Sequence, residues 1–241
     1  MNTKFLWNTP IKKLPFKLVV QDEAEIWRAA DFWIKEPETI AWIDSFATGS
    51  VFWDIGTNVG VFSLYANTKA ITTSAFEPDV KNYDAILANV KVNNAVHIVG
   101  YRWAVSDTDG KSTFHVHYAG AGHSGGQVGA AVDESGREFK PVESYEVETY
   151  TIDTLARRLG VPNHIKIDVD GHEWRILQGA AVTLGNPEVK SVLVEVNNCY
   201  ADIDGYMKSF GFSDFNRFNG PDINRRANQK SRNVIYLREN S

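Results

Sequence analysis

Acidic residues placed at the ends of apolar runs are the chemical signal in this chain. In Val51–Gly60, VFWDIGTNVG, a β-type run ends in Asp54, turns through Gly56, Thr57 and Asn58, and passes Gly60 into a helical pattern. A strand that delivers a carboxylate, small or left-handed-tolerant residues that let backbone approach a ligand, and a helix N-terminus beyond them make a nucleotide-type cofactor site. A second run, AITTSAF, ends in Glu77 and Pro78. An acid about twenty residues past the glycine turn stands where a ribose diol is gripped. A third run, HIKIDVD (164–170), carries Asp168 and Asp170 and leads to His172 and Glu173 at the start of a helical pattern. His172, with an ordinary pKa of about 6.5, is of a type that can take a proton from a hydroxyl nucleophile. Glu173 reads equally as a catalytic acid or as a first-turn acid favoured by the helix dipole.

The ligand class follows from charge. A phosphate-cradling GxxxxGK[ST] loop is absent from the sequence. A dinucleotide site prefers GxGxxG so that a helix can approach pyrophosphate, but the middle position here is Asn58, and Asp54 would face the phosphates. S-adenosylmethionine has an ammonium, a sulfonium and no phosphate, so an acidic strand end suits it.

These residues need an α/β scaffold, and the rest of the chain reads as one. Residues 25–46 form two helical pieces, with Ile26, Ala30 and Trp33 on one face and Pro37 opening the second. Strands at 51–55, 71–77 and 96–101 alternate with helices whose apolar faces carry Val61, Leu64, Tyr65 and Thr68, then Tyr83, Ile86, Leu87 and Val90. Such alternation implies a parallel sheet. KSTFHVH (111–117) and VESYEVETYTI (142–152) interrupt it as a β-hairpin insertion around a Gly-rich loop at 119–130. The alternation resumes with helix 153–159, strand 164–170, a helix with Trp174, Leu177 and Ala181 on one face, and strand 191–197; it ends with helix 203–210 and strands 212–215 and 233–237. The expected fold is a mostly parallel central sheet with helices on both faces and an antiparallel C-terminal strand pair. The expected organisation is one domain over 1–241: an N-terminal helical region to 48, a cofactor-binding half at 51–105, the β insertion at 106–152 and a second half at 153–241.

With 241 residues, 43% hydrophobic and 23% charged, the composition fits one globular domain. A net charge of −5 argues against general affinity for nucleic acid or anionic lipid. The single Cys199 cannot form an intramolecular disulfide, and no stretch reads as a signal peptide or membrane span, so a cytoplasmic protein is expected. Oligomeric state is not legible.

The ordered set DIGTNVG, FEPD, AVSDTDGKSTF, TIDTL, IKIDVDGHEWRILQGA and VLVEVN resembles the FkbM-type S-adenosylmethionine-dependent methyltransferases, from about Ile40 to Leu237. The resemblance implies a class I (Rossmann-like) methyltransferase fold and methyl transfer to a hydroxyl of a sugar or other small natural product, a glycan or sugar nucleotide included, with S-adenosylhomocysteine as product. It implies that Asp54, Gly56, Thr57, Asn58 and Gly60 form the first cofactor loop, with Asp54 acting on the methionine end through the loop or a water. Glu77 and Pro78 then grip the ribose, Trp103, Ala104 and Val105 pack the adenine, and Asp168 and Asp170 lie beside the transferred methyl. Asp170 departs from the Glu common in the family and shortens that side chain by one methylene.

Plainer readings compete. Asp168 or Asp170 could cap the following helix, and much of the rate could come from holding the hydroxyl in line rather than from base catalysis. A divalent ion at Asp168 and Asp170 is chemically open but not expected, and His115, His117 and His123 read as strand-face or loop histidines rather than a metal cluster. The 119–130 loop is a lid or a tolerated surface insertion, and the basic RRANQKSR segment (225–232) a solvated loop or a grip for an anionic acceptor. Rival functions are nucleic-acid methylation, which usually brings a [DN]PP[YFW] element absent here, a non-catalytic binding module, and a nicotinamide-dependent oxidoreductase.

Overall fold

The computed structural model describes residues 13–133, 135–196, 200–215 and 232–239. Helices α1 (Glu23–Lys35) and α2 (Pro37–Asp44) precede β1 (Val51–Ile55), α3 (Val61–Asn67), β2 (Thr72–Phe76), α4 (Val80–Asn93) and β3 (Ile98–Tyr101). The insertion supplies β4 (Ala104–Val105), β5 (Gly110–Val116), β6 (Gln127–Val128) and β7 (Glu143–Tyr150). The second half runs α5 (Ile152–Leu159), β8 (His164–Ile167), α6 (Glu173–Gln178), α7 (Ala181–Leu184), β9 (Ser191–Val196), α8 (Tyr200–Ser209), β10 (Phe212–Asp214) and β11 (Arg232–Arg238).

The central sheet has seven strands in the order β10-β11-β9-β8-β1-β2-β3. The five strands from β9 to β3 are parallel, while β11 pairs antiparallel with both β9 and β10. Side chains alternate between two apolar layers, as a sheet covered on both faces requires. Trp53, Ile165, Ile167, Val192 and Tyr236 meet α5 to α8 on one face. Phe52, Ala75, Leu193 and Ile235 meet α1 to α4 on the other, where Trp42 is fully buried and donates to Ser191 Oγ at 2.8 Å. No helix among the described residues is long and apolar enough to cross a membrane.

Several details depart from the sequence reading. The insertion is more than a hairpin: β5 and β7 pair antiparallel, β6 joins from the Gly-rich stretch, and β4 adds Ala104 and Val105 to make a separate four-stranded sheet. The first strand of the second half stops at Ile167, so Asp168–Asp170 lie in a turn rather than on the strand. The helix faces are partly rotated. Ile26 on α1 and Leu87 on α4 are 44% and 45% exposed, while Trp33, Ile86 and Val90 pack inward as expected, joined by Phe32 on α1 and Asn82, Ala85 and Asn89 on α4. The helix expected through Ala181 breaks at Gly179, leaving Ala181 exposed and Ala180 buried. Cys199 and residues 225–231 of the basic segment lie outside the described residues.

The strand order reverses between β1 and β8, because successive strands step from β1 through β2 to β3 on one side and from β8 outward on the other. Open α/β sheets bind ligands at the carboxyl ends of strands flanking such a point. Gly56 locks this junction. Its φ is 75°, and a Cβ there would overlap the carbonyl oxygen of Asp168. Gly60, at φ 85°, would place a Cβ in ordinary contact with Ile86 at 3.5 Å, so its glycine answers to backbone conformation alone. Gly56→Ala is expected to cost about 1–3 kcal/mol from the left-handed backbone alone and more from displacing Asp168. A thermal melt reads the loss, and a Tm within a degree of the parent would refute this account of the junction.

Candidate functional site

A cleft opens over the carboxyl ends of β1, β2 and β8 and is roofed by the insertion. Its lining includes Gly56, Asn58, Glu77, Pro78, Trp103, Ala104, Val105, Asp168, Asp170 and His172, all anticipated from sequence. Asp54, Thr57, Gly60 and Glu173 were anticipated too, but they stand behind the wall rather than in it. Asp54 is fully buried, and its Oδ2 accepts from Thr57 Oγ1 at 2.7 Å and Ser63 Oγ at 2.6 Å. It thereby fixes the turn that carries Asn58. Glu173 is 3% exposed; its carboxylate accepts the backbone N–H groups of Val169 and Gly171 at 3.0–3.1 Å, so it shapes the 169–171 turn. Helix α6 is capped by neither Asp168 nor Asp170, since its N-cap position is His172.

Glu77 is aimed by backbone. Oε2 accepts from Asn58 N at 2.9 Å and Oε1 from Asp79 N at 3.0 Å, and burial pushes its pKa up to about 8 against those two bonds. Asn58 sits at φ 53°, the left-handed conformation that asparagine tolerates best after glycine. Its side-chain amide donates to His123 O at 2.7 Å, while its Oδ1 is buried with no partner among the described residues. Trp103 stacks on Tyr101 at 4.6 Å, and Tyr101 on Phe76 at 5.3 Å, so the wall next to Ala104 and Val105 is a rigid aromatic ladder.

Asp168 owes its state to a residue absent from the sequence reading. Lys166 is 1% exposed on β8, opposite Asp54 of β1 in the parallel register, and its Nζ lies 2.5 Å from Asp168 Oδ2. Burial works to raise the Asp168 carboxyl, but Lys166, then Lys35 and Arg28, overcome it and hold the pKa below the usual range. Burial likewise works against the Lys166 charge, and Asp168, Glu36 and Asp54 hold it protonated. The signal for Lys166 was present as a lysine between two apolar residues of a buried strand; alone, it reads as a solvent-facing position. Burial lowers the His172 pKa, with Arg175 adding to this against Asp107, so the imidazole is neutral at neutral pH.

The Gly-rich loop is pinned across the cleft. Gly125 N donates to Asp170 Oδ2 at 2.7 Å, and Gln127 Nε2 to the Asp170 carbonyl at 2.8 Å. Asn82 receives Gly122 N at 2.8 Å and donates to His123 O at 3.1 Å, and Arg28 Nε donates to Gly122 O at 3.0 Å. Asp170, which the family resemblance puts beside the transferred methyl, also anchors this loop. His115 bonds Ser144 Oγ and Gly129 O, and His117 stacks between Tyr118 and Phe139.

The donor set suits a ligand with an aromatic ring, a diol and a positive charge. Its wall carries the carboxylates of Glu77, Asp79, Asp168 and Asp170, an aromatic face, and the orphaned amide oxygen of Asn58. Breaking the Lys166–Asp168 pair leaves an uncompensated buried charge, so Lys166→Met is expected to lose about 3–5 kcal/mol in chemical denaturation. Adding Asp168→Asn should recover part of that loss, whereas simply additive losses would refute the coupling.

The methyltransferase FkbM domain model matches residues 54–213. Hexuronic acid methyltransferase AglP of Haloferax volcanii is 27% identical over 183 residues, covering 75% of this chain and 70% of that protein. The 31-O-demethyl-FK506 methyltransferase FkbM of Streptomyces tacrolimicus is 30% identical over 182 residues, covering 65% of this chain and 67% of that protein. Among solved structures, magnesium protoporphyrin IX methyltransferase from Synechocystis aligns with a TM-score of 0.48 at 13% identity, over 91% of this chain and 86% of that one. Precorrin-6y C5,15-methyltransferase from Geobacter metallireducens aligns with a TM-score of 0.49 at 10% identity, over 84% and 86%.

Proposed function

The chain belongs to the FkbM methyltransferase family, and we propose that it moves a methyl group from S-adenosylmethionine to a hydroxyl of a sugar or similar small natural product. The observation that carries this reading is Glu77: a buried carboxylate, aimed by two backbone N–H groups, at the end of β2 and on the wall of the cleft. The names of the two relatives, one a hexuronic acid methyltransferase and one a 31-O-demethyl-FK506 methyltransferase, support a small-molecule acceptor.

The bound cofactor supplies an electrophilic methyl on a sulfonium. The residues of this chain supply the rest. Glu77 accepts the ribose hydroxyls, Trp103, Ala104 and Val105 pack the adenine, and Asn58 and Gly56 set the backbone beneath. Asp168, kept ionised by Lys166, offers a fixed negative charge to the cationic end. His172, neutral and lining the cleft, is placed to take the proton of the acceptor hydroxyl. Asp54, Thr57 and Glu173 act as positioning residues through the turns they hold, and Asp170 through the loop.

The raised pKa of Glu77 makes binding pH-dependent with a defined sign. Without ligand, the folded carboxyl keeps its proton up to about pH 8, whereas a diol that donates two hydrogen bonds favours the ionised form. Affinity for S-adenosylhomocysteine should therefore rise by about tenfold between pH 6.5 and 8.5, with proton release on binding below pH 8. Calorimetry in buffers of different ionisation enthalpy reads both effects. Glu77→Gln should abolish the pH dependence and weaken binding by roughly 10- to 100-fold, the worth of a charged hydrogen bond. Unchanged affinity in that variant would overturn the ribose assignment. His172→Gln should lower kcat by about 10²-fold or more with little change in that affinity.

A further inference from the structure

A second cavity lies beside the cofactor cleft, between α1 and the Gly-rich loop, and the proposed reaction leaves it without a role. It encloses about 1660 Å³ counting its open mouth, and it meets the first cleft at Arg28, Lys35, Tyr118, His123 and Ser124. We propose that this groove is the acceptor site and that it takes an acidic saccharide, a sugar ring bearing a carboxylate. The proposal rests on the methyltransferase reading above and names the acceptor class for it.

Position is the first argument. Arg28 and Lys35 line both cavities, and both act electrostatically on Asp168. A molecule lying in the groove therefore meets the cofactor cleft at the Asp168 side, where the proposed chemistry takes place.

The lining chemistry is the second. Trp27 and Tyr118 leave 53% and 54% of their surfaces exposed, unusually much for large aromatic groups, and both border the groove. A broad ring in a polar pocket offers an apolar platform to the C–H face of a pyranose. Asp22, Glu23, Asp31 and Glu36 also line the groove and are acceptors of the type that sugar hydroxyls satisfy; Asp22 already takes Ala24 N at 3.1 Å and Glu36 takes Thr39 Oγ1 at 3.1 Å, so the acid of the ligand must lie at the Arg28–Lys35 end.

Charge at the junction is the third. The chain carries a net charge of −5, and the first cleft is lined by carboxylates, yet the passage between the two cavities holds a guanidinium and an ammonium. Arg28 is oriented by the bond of its Nε to Gly122 O at 3.0 Å, and Lys35 makes only a 3.4 Å contact with Glu36 while remaining half-exposed. A carboxylate of the acceptor fits between them through charge-assisted hydrogen bonds. Both cations already act on Asp168, and Lys35 also meets Glu36, so the acceptor carboxylate joins a mixed cluster of charges there.

The test uses the full chain saturated with S-adenosylhomocysteine and two probes differing in one group, p-nitrophenyl β-D-glucuronide and p-nitrophenyl β-D-glucoside. Calorimetry or saturation-transfer NMR should show the glucuronide binding about tenfold more tightly. Lys35→Gln, which breaks no loop contact, should remove most of that preference, and Arg28→Gln should remove it as well. Trp27→Ala should weaken both probes alike. Equal affinity for the two probes, or a preference that survives the Lys35→Gln and Arg28→Gln double substitution, would overturn the proposal. Failure of S-adenosylhomocysteine to bind the parent chain would instead count against the methyltransferase reading, and the probe preference can still be read on the free protein.

Discussion

One buried ammonium holds this site together. Lys166 projects from the same face of β8 as Asp54 does from β1, because parallel register puts the two residues opposite each other. From there its flexible stem reaches past the strand end to Asp168, with the Phe62 ring 5.3 Å from its Nζ. The charge thus joins the two strands that flank the sheet's reversal point. A buried ion pair rarely adds net stability over well-packed apolar residues, so stability is a weak explanation for keeping it. What the pair does is keep one carboxylate charged in a place where burial would neutralise it. Asp54 in turn holds Thr57 and Ser63, and through them the glycine turn, so the ammonium and the cofactor loop form one connected polar layer.

The insertion completes what the sheet begins. A parallel α/β core leaves the carboxyl ends of its strands open to water, and here the Gly-rich loop crosses above them. It is held from β1 through Asn58, from α4 through Asn82, from α1 through Arg28 and from the β8 turn through Asp170. These anchors come from four separate elements, so the loop can seat only when the N-terminal helix, the first half and the second half are all in place. The same loop walls off both cavities, and this couples the two proposed ligands through a shared backbone rather than through a distant relay.

Apolar periodicity carried the order of strands and helices because a parallel sheet buried on both faces writes long apolar runs and little else. It misplaced part of the helix faces for an identifiable reason. On α4 the interior positions include Asn82 and Asn89, whose amides satisfy loop and turn backbone; Asn89 bonds Val59 O and Val19 N. Hydrophobic pattern counts such residues as surface, so it turned the helix toward Leu87. Glu77, Asp168 and Asp170 of the cleft wall were legible since each stands at or just past the end of an apolar run. Lys166 was not, because its partners lie on another strand and beyond its own strand's end. Arg28 and Lys35 were missed for a similar reason: nothing in α1 announces that it docks beside Asp168, and only tertiary packing puts them there.

Three carboxylates around this site show how one chemical group is given different states by its surroundings. Glu77 and Glu173 are both buried, and both accept backbone N–H groups, yet desolvation prevails and lifts them to about 8 and about 7. Asp168 is partly buried, with 23% of its side chain exposed, and the cations around it reverse the sign. At neutral pH Asp168 is therefore held ionised as the partner of Lys166, while Glu77 largely waits in its neutral form for a ligand that favours ionisation. Environments that push neighbouring acids apart are how a site assigns distinct roles to like groups. In the proposed reading the division places diol recognition at the β2 end and an ionised carboxylate, balanced by Lys166, at the β8 end. A ligand that reaches both ends is oriented by that separation before any catalytic group acts on it.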